Sequence, residues 1–281
     1  MSWQLIESDA ALADVLAEAQ QVDSVVIDTE FMRRNTFFPE VALLQISFGG
    51  TAWLIDPLAI SDTGGLAALL TDPGVVKVLH SGSEDLEVFQ RWLGVLPQPL
   101  FDTQRAAALL DMGFGLGYGA LVEAVCHVAL EKGETRSDWL QRPLTESQCH
   151  YAAQDVIYLH DIWLSLSQLC REQDKYDWVL ADGEDAVATL ASNGRDYYKR
   201  IKSAWKLDQR QLASLVAICN WREDTARERN KPRGWIIDDK ACLQLAQSAP
   251  ASLSEMKASV ELPPPAARRY GERLLVLLGE Q

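Results

Sequence analysis

The sequence has few of the residues that mark secreted proteins and thiolate-bound metal sites. Its 281 residues include only five cysteines and four histidines. Cys126, Cys149, Cys170, Cys219 and Cys242 are odd in number, widely spaced and free of any Cys-x-x-Cys pair. That pattern excludes a disulfide framework and a zinc–thiolate site, and it suits reduced thiols in the cytoplasm. No apolar run approaches the ~20 residues of a membrane helix. The first residues, Met1 to Glu7, lack the basic-then-apolar stretch of a secretory leader. Neither a membrane nor an obligatory protein partner is called for, and no internal repeat is present. What the chain does have is ordinary globular material, 48% apolar and 23% charged, in a length that suits two domains.

Basic residues are scarce where acids are plentiful. Residues 1–182 hold 10 Lys and Arg against 27 Asp and Glu, whereas residues 183–281 hold 16 against 13. Within the tail, Arg195 to Arg233 carries 11 basic and 5 acidic side chains. The formal net charge of −14 argues against a polyanion ligand when taken whole. An acidic body with a basic segment instead fits metal chemistry in one part and phosphate contact in the other. An unevenly charged solvated surface accounts for the same numbers.

Short β-rich runs alternate with helical patterns in the first half. Strands are predicted at 24–28, 41–48, 51–56, 75–79 and 100–102. Gly49-Gly50 is a two-residue hairpin signal between the second and third. Helices are predicted at about 9–20, 65–71, 84–93, 103–111 and 116–128. A hairpin followed by strand–helix alternation indicates an α/β fold, a mixed sheet flanked by helices. From Thr145 onward the chain reads as helical. Thr145 with Gln148 is a capping-box pattern, followed by Ala152, Val156, Leu159, Trp163 and Leu166 at helical spacing. Another helix is predicted at about 178–192, and residues 193–207 read as a linker. Asp208 with Gln211 opens a further helix that Pro232-Arg233-Gly234 breaks, and two or three shorter helices finish the chain.

Three clusters have chemical potential. Asp28-Thr29-Glu30 stands at the end of a buried strand, and side chains two apart on a strand share one face. Two carboxylates there repel each other and lose solvation, which a divalent cation offsets. His80-Ser81-Gly82-Ser83-Glu84-Asp85 follows the fourth strand; Ser81 with Glu84 is read as a helix cap that leaves Asp85 in the first turn. Tyr151 and Asp155 are four apart, on one helical face. Each cluster alone also reads as structural: a polar strand end, acids at a helix dipole, an aromatic with an acid on a half-exposed helix.

Taken together, the segments Asp28-Thr29-Glu30-Phe31, His80-Ser81-Gly82-Ser83-Glu84-Asp85-Leu86 and Tyr151-Ala152-Ala153-Gln154-Asp155 resemble, in order and separation, the three motifs of the DEDDy 3′→5′ exonucleases. The wording is nearest to the bacterial ribonuclease D family, including Leu44-Gln45-Ile46, Phe101-Asp102-Thr103-Gln104, Gly117-Tyr118-Gly119 and Ser137-Asp138-Trp139-Leu140-Gln141-Arg142-Pro143-Leu144. The resemblance covers nearly the whole chain and implies a ribonuclease H-like sheet in residues 1–192. It also implies a small all-α HRDC-like nucleic-acid-binding domain in 208–281, where the family commonly carries two such modules.

The resemblance further implies two divalent cations, Mg²⁺ or Mn²⁺. Asp28, Glu30 and Asp155 would hold one and Asp28 and Asp85 the other, with Tyr151 orienting the attacking water. Phe31 and Met32 would pack against the terminal base or ribose, or else belong to the core. His80 would be a hydrogen-bonded residue near the site rather than a ligand. The implied activity is 3′→5′ removal of mononucleotides from single-stranded RNA 3′ ends, with tRNA precursors as the implied substrate. Two rivals stand beside it: a DNA exonuclease of the same superfamily, and a silent RNA-binding adaptor. The adaptor is disfavoured because all five key residues are present.

Overall fold

The computed structural model describes residues 2–130, 133, 134, 137–192 and 196–280. The chain divides into two compact units. One takes in the residues up to Met32 together with Pro39–Ser192, and the other takes in Arg33–Phe38 together with the residues beyond 192.

In the first unit the elements follow one another as β1 (Ser2–Ile6), α1 (Asp9–Ala19), β2 (Ser24–Met32), β3 (Glu40–Phe48), β4 (Thr51–Ile55), α2 (Gly64–Thr71), β5 (Val76–Leu79), α3 (Ser83–Trp92), β6 (Leu100–Asp102), α4 (Thr103–Leu109), α5 (Tyr118–Cys126), α6 (Glu146–Glu172) and α7 (Tyr176–Ala191). The strands form one sheet in the order β1-β4-β3-β2-β5-β6. β2, β3 and β4 are antiparallel neighbours, while β1 runs parallel to β4 and β5 runs parallel to both β2 and β6. This is the mixed sheet expected from the hairpin and the alternation that follows it. Gly49 and Gly50 both have positive φ, +74° and +91°, as a two-residue hairpin turn with right-handed strand twist requires.

The β1 strand was not anticipated. Its exposure alternates, with Trp3 and Leu5 turned toward the core and Ser2 and Gln4 outward. Its pairing partner, β4, lies some fifty residues away in sequence. β2 is also longer than expected and runs on to Met32. Antiparallel pairing with β3 carries it there, down to Met32 opposite Glu40. Asp28 and Glu30 therefore lie inside the strand rather than at its end.

The sheet is covered on both faces, and strand alternation decides what each face meets. Val26 packs with Leu121, Ala152, Val156 and Leu159 on the α5–α6 side. Val25 and Ile27 pack with Leu12, Leu66, Leu86 and Phe89 on the α1–α2–α3 side. Lys77 on β5 is fully buried, and its ammonium donates to the carbonyls of Asp72 (2.7 Å), Val75 (2.5 Å) and Gln98. Burial lowers its pKa to about 8. Three carbonyl acceptors are what make a buried lysine tolerable in a central strand.

The second unit holds two 3₁₀ turns, Tyr197–Arg200 and Ala204–Lys206. These are followed by α8 (Gln209–Glu228), α9 (Arg233–Ile236), α10 (Asp239–Ser248), α11 (Leu253–Ser259) and α12 (Pro264–Gly279). Its core is built on Leu215, Ile218, Cys242, Leu245 and Leu274, with Ile201 and Ala204 from the predicted linker buried among them. Residues 193–195 of that linker lie outside the described residues. Both anticipated capping boxes form: Thr145 with Gln148 opens α6, and Asp208 with Gln211 opens α8. Among the described residues no helix is long and apolar enough to cross a membrane, and all five cysteines are free thiols.

Candidate metal centre and active site

The alternation that packs Val26 against α6 directs the Asp28 and Glu30 side chains to that same face. The parallel β2–β5 pairing stops at Val26 opposite Val78. β5 then ends at Leu79, so both acids lie beyond its reach. The β2–β3 pairing shifts register between Glu30 and Phe31, directly after the second acid. Bulges of this kind recur beside active sites, where they re-aim side chains. From above this region α6 contributes Asp155, with Ala152, Ala153, Val156 and Leu159 fastening the helix to the sheet. The outcome is three carboxylates, Asp28, Glu30 and Asp155, whose ligand oxygens all lie within 4.8 Å of one another.

Asp85 stands outside this group, in the first turn of α3, 8% exposed. Thr29 turns away from its two acidic neighbours, and its hydroxyl donates to the Asp85 carboxylate at 2.5 Å. The expected Ser81–Glu84 cap does not form: Gly82 is the N-cap residue and the helix has no side-chain cap. Instead the Ser81 and Gly82 N–H groups donate to the Asp102 carboxylate at 3.0 and 3.1 Å. Ser81 takes a left-handed conformation, φ +57°, and this tight turn, pinned by a distant acid, replaces local capping.

Among the described residues, the electrostatics are those of buried like charges. Burial, then repulsion from Asp85, Asp155 and Glu30, lifts the Asp28 pKa well above the ordinary carboxylate value; the Thr29 N–H opposes this. Glu30 is pushed up to about 9 by burial, then by Asp155 and Asp85. Burial raises Asp155 to about 7 and Asp85 to about 6, the Thr29 hydrogen bond moderating the latter. Such a cluster is unfavourable when ionised and empty. Three converging carboxylates with no sulfur or imidazole donor among them are a hard-cation donor set, so the residues fit a divalent metal.

Tyr151 lies one turn before Asp155. Its ring packs on Trp139, with centroids 6.0 Å apart, and against Gly133, where a Cβ would come within 3.0 Å of it. Burial, then Asp155, Glu30 and Asp28, raises the phenol pKa far above its ordinary value. His80 shares a hydrogen bond with Thr103 Oγ1 at 3.0 Å and lies 5.5 Å from the Tyr118 ring; burial lowers its pKa. Phe31 is half-buried just past the register shift, and Met32 packs on the α6-side core.

Three supporting residues were given no role by the sequence reading, although Tyr118 and Arg142 lie in the family-like segments. Thr29 was noted only as the residue between two acids. Tyr118 donates its hydroxyl to the carbonyls of Gln154 (2.9 Å) and Asp155 (2.7 Å), holding α6 at the acid's own peptide. Arg142 makes a bidentate pair with Asp56 at 2.6 and 2.8 Å, and also donates to the Trp139 (2.7 Å) and Ala42 (2.6 Å) carbonyls. This fastens the loop bearing Trp139 to the sheet. The available signal was an arginine just before a loop proline and an aspartate closing a strand, which sequence alone does not pair.

Fold and acid cluster together define a 3′→5′ exonuclease. A family model described as 3′-5′ exonuclease matches residues 3–171, and one described as HRDC domain matches 211–278. The chain is 46% identical to ribonuclease D of Pseudomonas paraeruginosa over 279 residues, covering 99% of this chain and 74% of that one. It also resembles the crystal structure of Escherichia coli RNase D, described as an exoribonuclease involved in structured RNA processing. That match has a TM-score of 0.88 and 38% identity, and covers 100% of this chain and 75% of that one. A more distant likeness is Brucella melitensis NrnC with bound Mg²⁺, TM-score 0.57 and 28% identity, covering 67% of this chain and 91% of that one. The chain belongs to the ribonuclease D family and is a 3′→5′ exoribonuclease, a hydrolase that acts on RNA. Neither the DNA-exonuclease reading nor the silent-adaptor reading is favoured by these likenesses.

Proposed function

We propose that Asp28, Glu30, Asp85, Tyr151 and Asp155 form the catalytic site, and that the chain trims single-stranded 3′ ends of structured RNAs, tRNA precursors among them. The observation that carries the site assignment is the convergence of Asp28, Glu30 and Asp155 within 4.8 Å. In this reading Asp28, Glu30 and Asp155 would hold one divalent cation, and Asp28 with Asp85 would hold a second. Mg²⁺ or Mn²⁺ suits an all-oxygen donor set, and the Mg²⁺ held by the NrnC relative supports the choice. The bound cations supply an activated water and neutralise charge developing on the phosphate. Tyr151, with its phenol pKa raised by burial and by neighbouring acids, stays protonated at neutral pH and orients that water by hydrogen bond rather than acting as a base. Trp139 and Gly133 hold its ring in place. Met32 and Phe31 offer apolar surface to the terminal nucleotide, while His80, neutral and bonded to Thr103, supports the Tyr118 side of the site.

The RNA assignment follows from the family. The E. coli relative's description as an exoribonuclease involved in structured RNA processing supports a structured RNA, and tRNA precursors are the substrate that the family resemblance implies. The helical domain at 208–281 would add RNA grip, and residues 193–207 would connect it to the exonuclease domain at 1–192. The free thiols suit the cytoplasm. The test uses 5′-labelled tRNA precursors bearing 3′ extensions, with Mg²⁺ or Mn²⁺ supplied separately. Stepwise shortening from the 3′ end that stops near the mature terminus supports the reading. Equal digestion of a labelled DNA strand, or no preference for the extended 3′ end, would remove the substrate assignment.

A further inference from the structure

The segment directly after Met32 belongs to the second unit, where Phe37 is buried to 6% beside Ala226 and Ile236. The Phe37 and Phe38 N–H groups both donate to the Asn230 side-chain oxygen, at 3.0 and 3.1 Å. Two guanidinium groups lie by the Phe37 ring, Arg233 at 4.6 Å and Arg227 at 4.9 Å. Both also bond to Glu223, an acid only 1% exposed. This packing fixes a cavity of about 260 Å³ lined by Arg33, Arg34, Thr36, Phe37, Pro232, Arg233 and Trp235. None of these lining residues is acidic. Trp235 is 61% exposed, an unusual position for so large an apolar side chain, and the Lys231 ammonium lies 5.8 Å from its ring.

We infer that this cavity is a binding site for single-stranded RNA, in which Trp235 stacks on an unpaired base and Arg33 and Arg34 contact the flanking phosphates. The inference rests on the RNA-directed reading of the chain and adds a site outside the acid cluster. Three features carry it. Cations on one side of a solvent-facing indole are the combination that grips a strand irrespective of sequence: stacking for the base, charge for the backbone. The size lies below the usual 300–1,000 Å³ range of small-ligand clefts, on the scale of one nucleotide step rather than of a larger metabolite. Glu223, the acid bonded to the lining Arg233, is itself only 1% exposed and so presents little negative charge to a bound phosphate. Arg227 and Glu223 hold Arg233 and Phe37 in place, so the wall is built before any ligand arrives.

The test measures anisotropy of a fluorescein-labelled oligo(U) of about sixteen nucleotides, the upper size of common single-strand sites, in EDTA so that no hydrolysis occurs. Trp235→Ala is expected to weaken binding by about tenfold or more, the loss of one stacked base, and Trp235→Phe to restore most of it. Arg33→Ala combined with Arg34→Ala is expected to flatten the dependence of log affinity on log salt by about 1.4, two phosphates at about 0.7 each for a single strand. A blunt RNA duplex, which has no unpaired base to stack, should be affected less than about twofold by Trp235→Ala. Variants that bind the oligo(U) like wild type, with an unchanged salt slope, overturn the site while wild-type hydrolysis leaves the exonuclease reading standing. Equal weakening on duplex and single strand overturns the stacking assignment. A wild-type chain that neither binds nor hydrolyses RNA sinks both readings.

Discussion

The hydroxyl of Thr29 donates to the carboxylate of Asp85 at 2.5 Å, so the residue between the two strand acids is the one that fixes the helix acid. Thr29 lies on the opposite face of β2 from Asp28 and Glu30 and reaches the first turn of α3. A single strand thus contributes to the site from both faces.

Thr29→Val removes that bond while keeping the side chain's shape. The bond lowers the Asp85 pKa against the raising effect of burial, so its loss should move the alkaline-going rise of activity to higher pH. Stability should fall by about 1–3 kcal/mol, the cost of a buried acceptor left unpaired. Thr29→Ser, which keeps the hydroxyl, should restore the profile. Identical pH profiles for all three proteins would show that Asp85 does not depend on Thr29.

Arg142→Met tests the loop clamp. It leaves the buried Asp56 carboxylate without its bidentate partner and frees the Trp139 and Ala42 carbonyls. Breaking such a pair should cost about 3 kcal/mol in urea unfolding. Adding Asp56→Asn should recover part of that loss, because the stranded charge is gone. A double variant as unstable as the sum of the two singles would mean the groups act independently. Turnover should also fall, because Trp139 backs Tyr151.

Much of this design was legible in the sequence where the cause is local. The Gly49-Gly50 hairpin, the capping boxes at Thr145 and Asp208, and the shared face of Tyr151 and Asp155 each depend on a few neighbouring residues. Asp28 and Glu30 were identified, but their place inside β2 was not, because pairing with β3 extends the strand to Met32. β1 exists by pairing with β4, the helix turn at Ser81 is held by Asp102, and the Thr29–Asp85 bond spans fifty-six positions. The absorption of residues 33–38 into the second unit is of the same kind. Tertiary partners that no window of sequence contains decide each of these.

The acid cluster predicts a stability that depends jointly on pH and metal. In the metal-free fold Glu30 is raised to about 9, Asp155 to about 7 and Asp85 to about 6, against ordinary values near 4 in the unfolded chain. The folded state therefore binds protons more tightly, and its stability declines as pH rises from about 4 to about 9. Melting temperature in EDTA should fall across that window. Millimolar Mg²⁺ should raise it more at the alkaline end, where the acids are ionised and ready to ligate. A Mg²⁺ shift equal at both ends, or none, would contradict a carboxylate metal site.

Tyr151→Phe keeps the ring against Trp139 and Gly133 and deletes only the hydroxyl. Turnover should drop by about 10²-fold, the lower end for a group assisting proton and water placement. Mg²⁺ affinity measured by calorimetry should be unchanged. Wild-type turnover in this variant would remove the phenol from the mechanism.

The most direct measurement is digestion of 5′-labelled single-stranded RNA by Asp28→Asn with Mg²⁺ at saturation. Asp28 is the acid that feels Asp85, Asp155 and Glu30 together, and the amide keeps its size while removing its charge. The account predicts that the 3′-end ladder made by the wild type disappears while the variant's fold, judged by circular dichroism, persists. A ladder formed at the wild-type rate would contradict the assignment of this carboxylate cluster as the metal-holding centre.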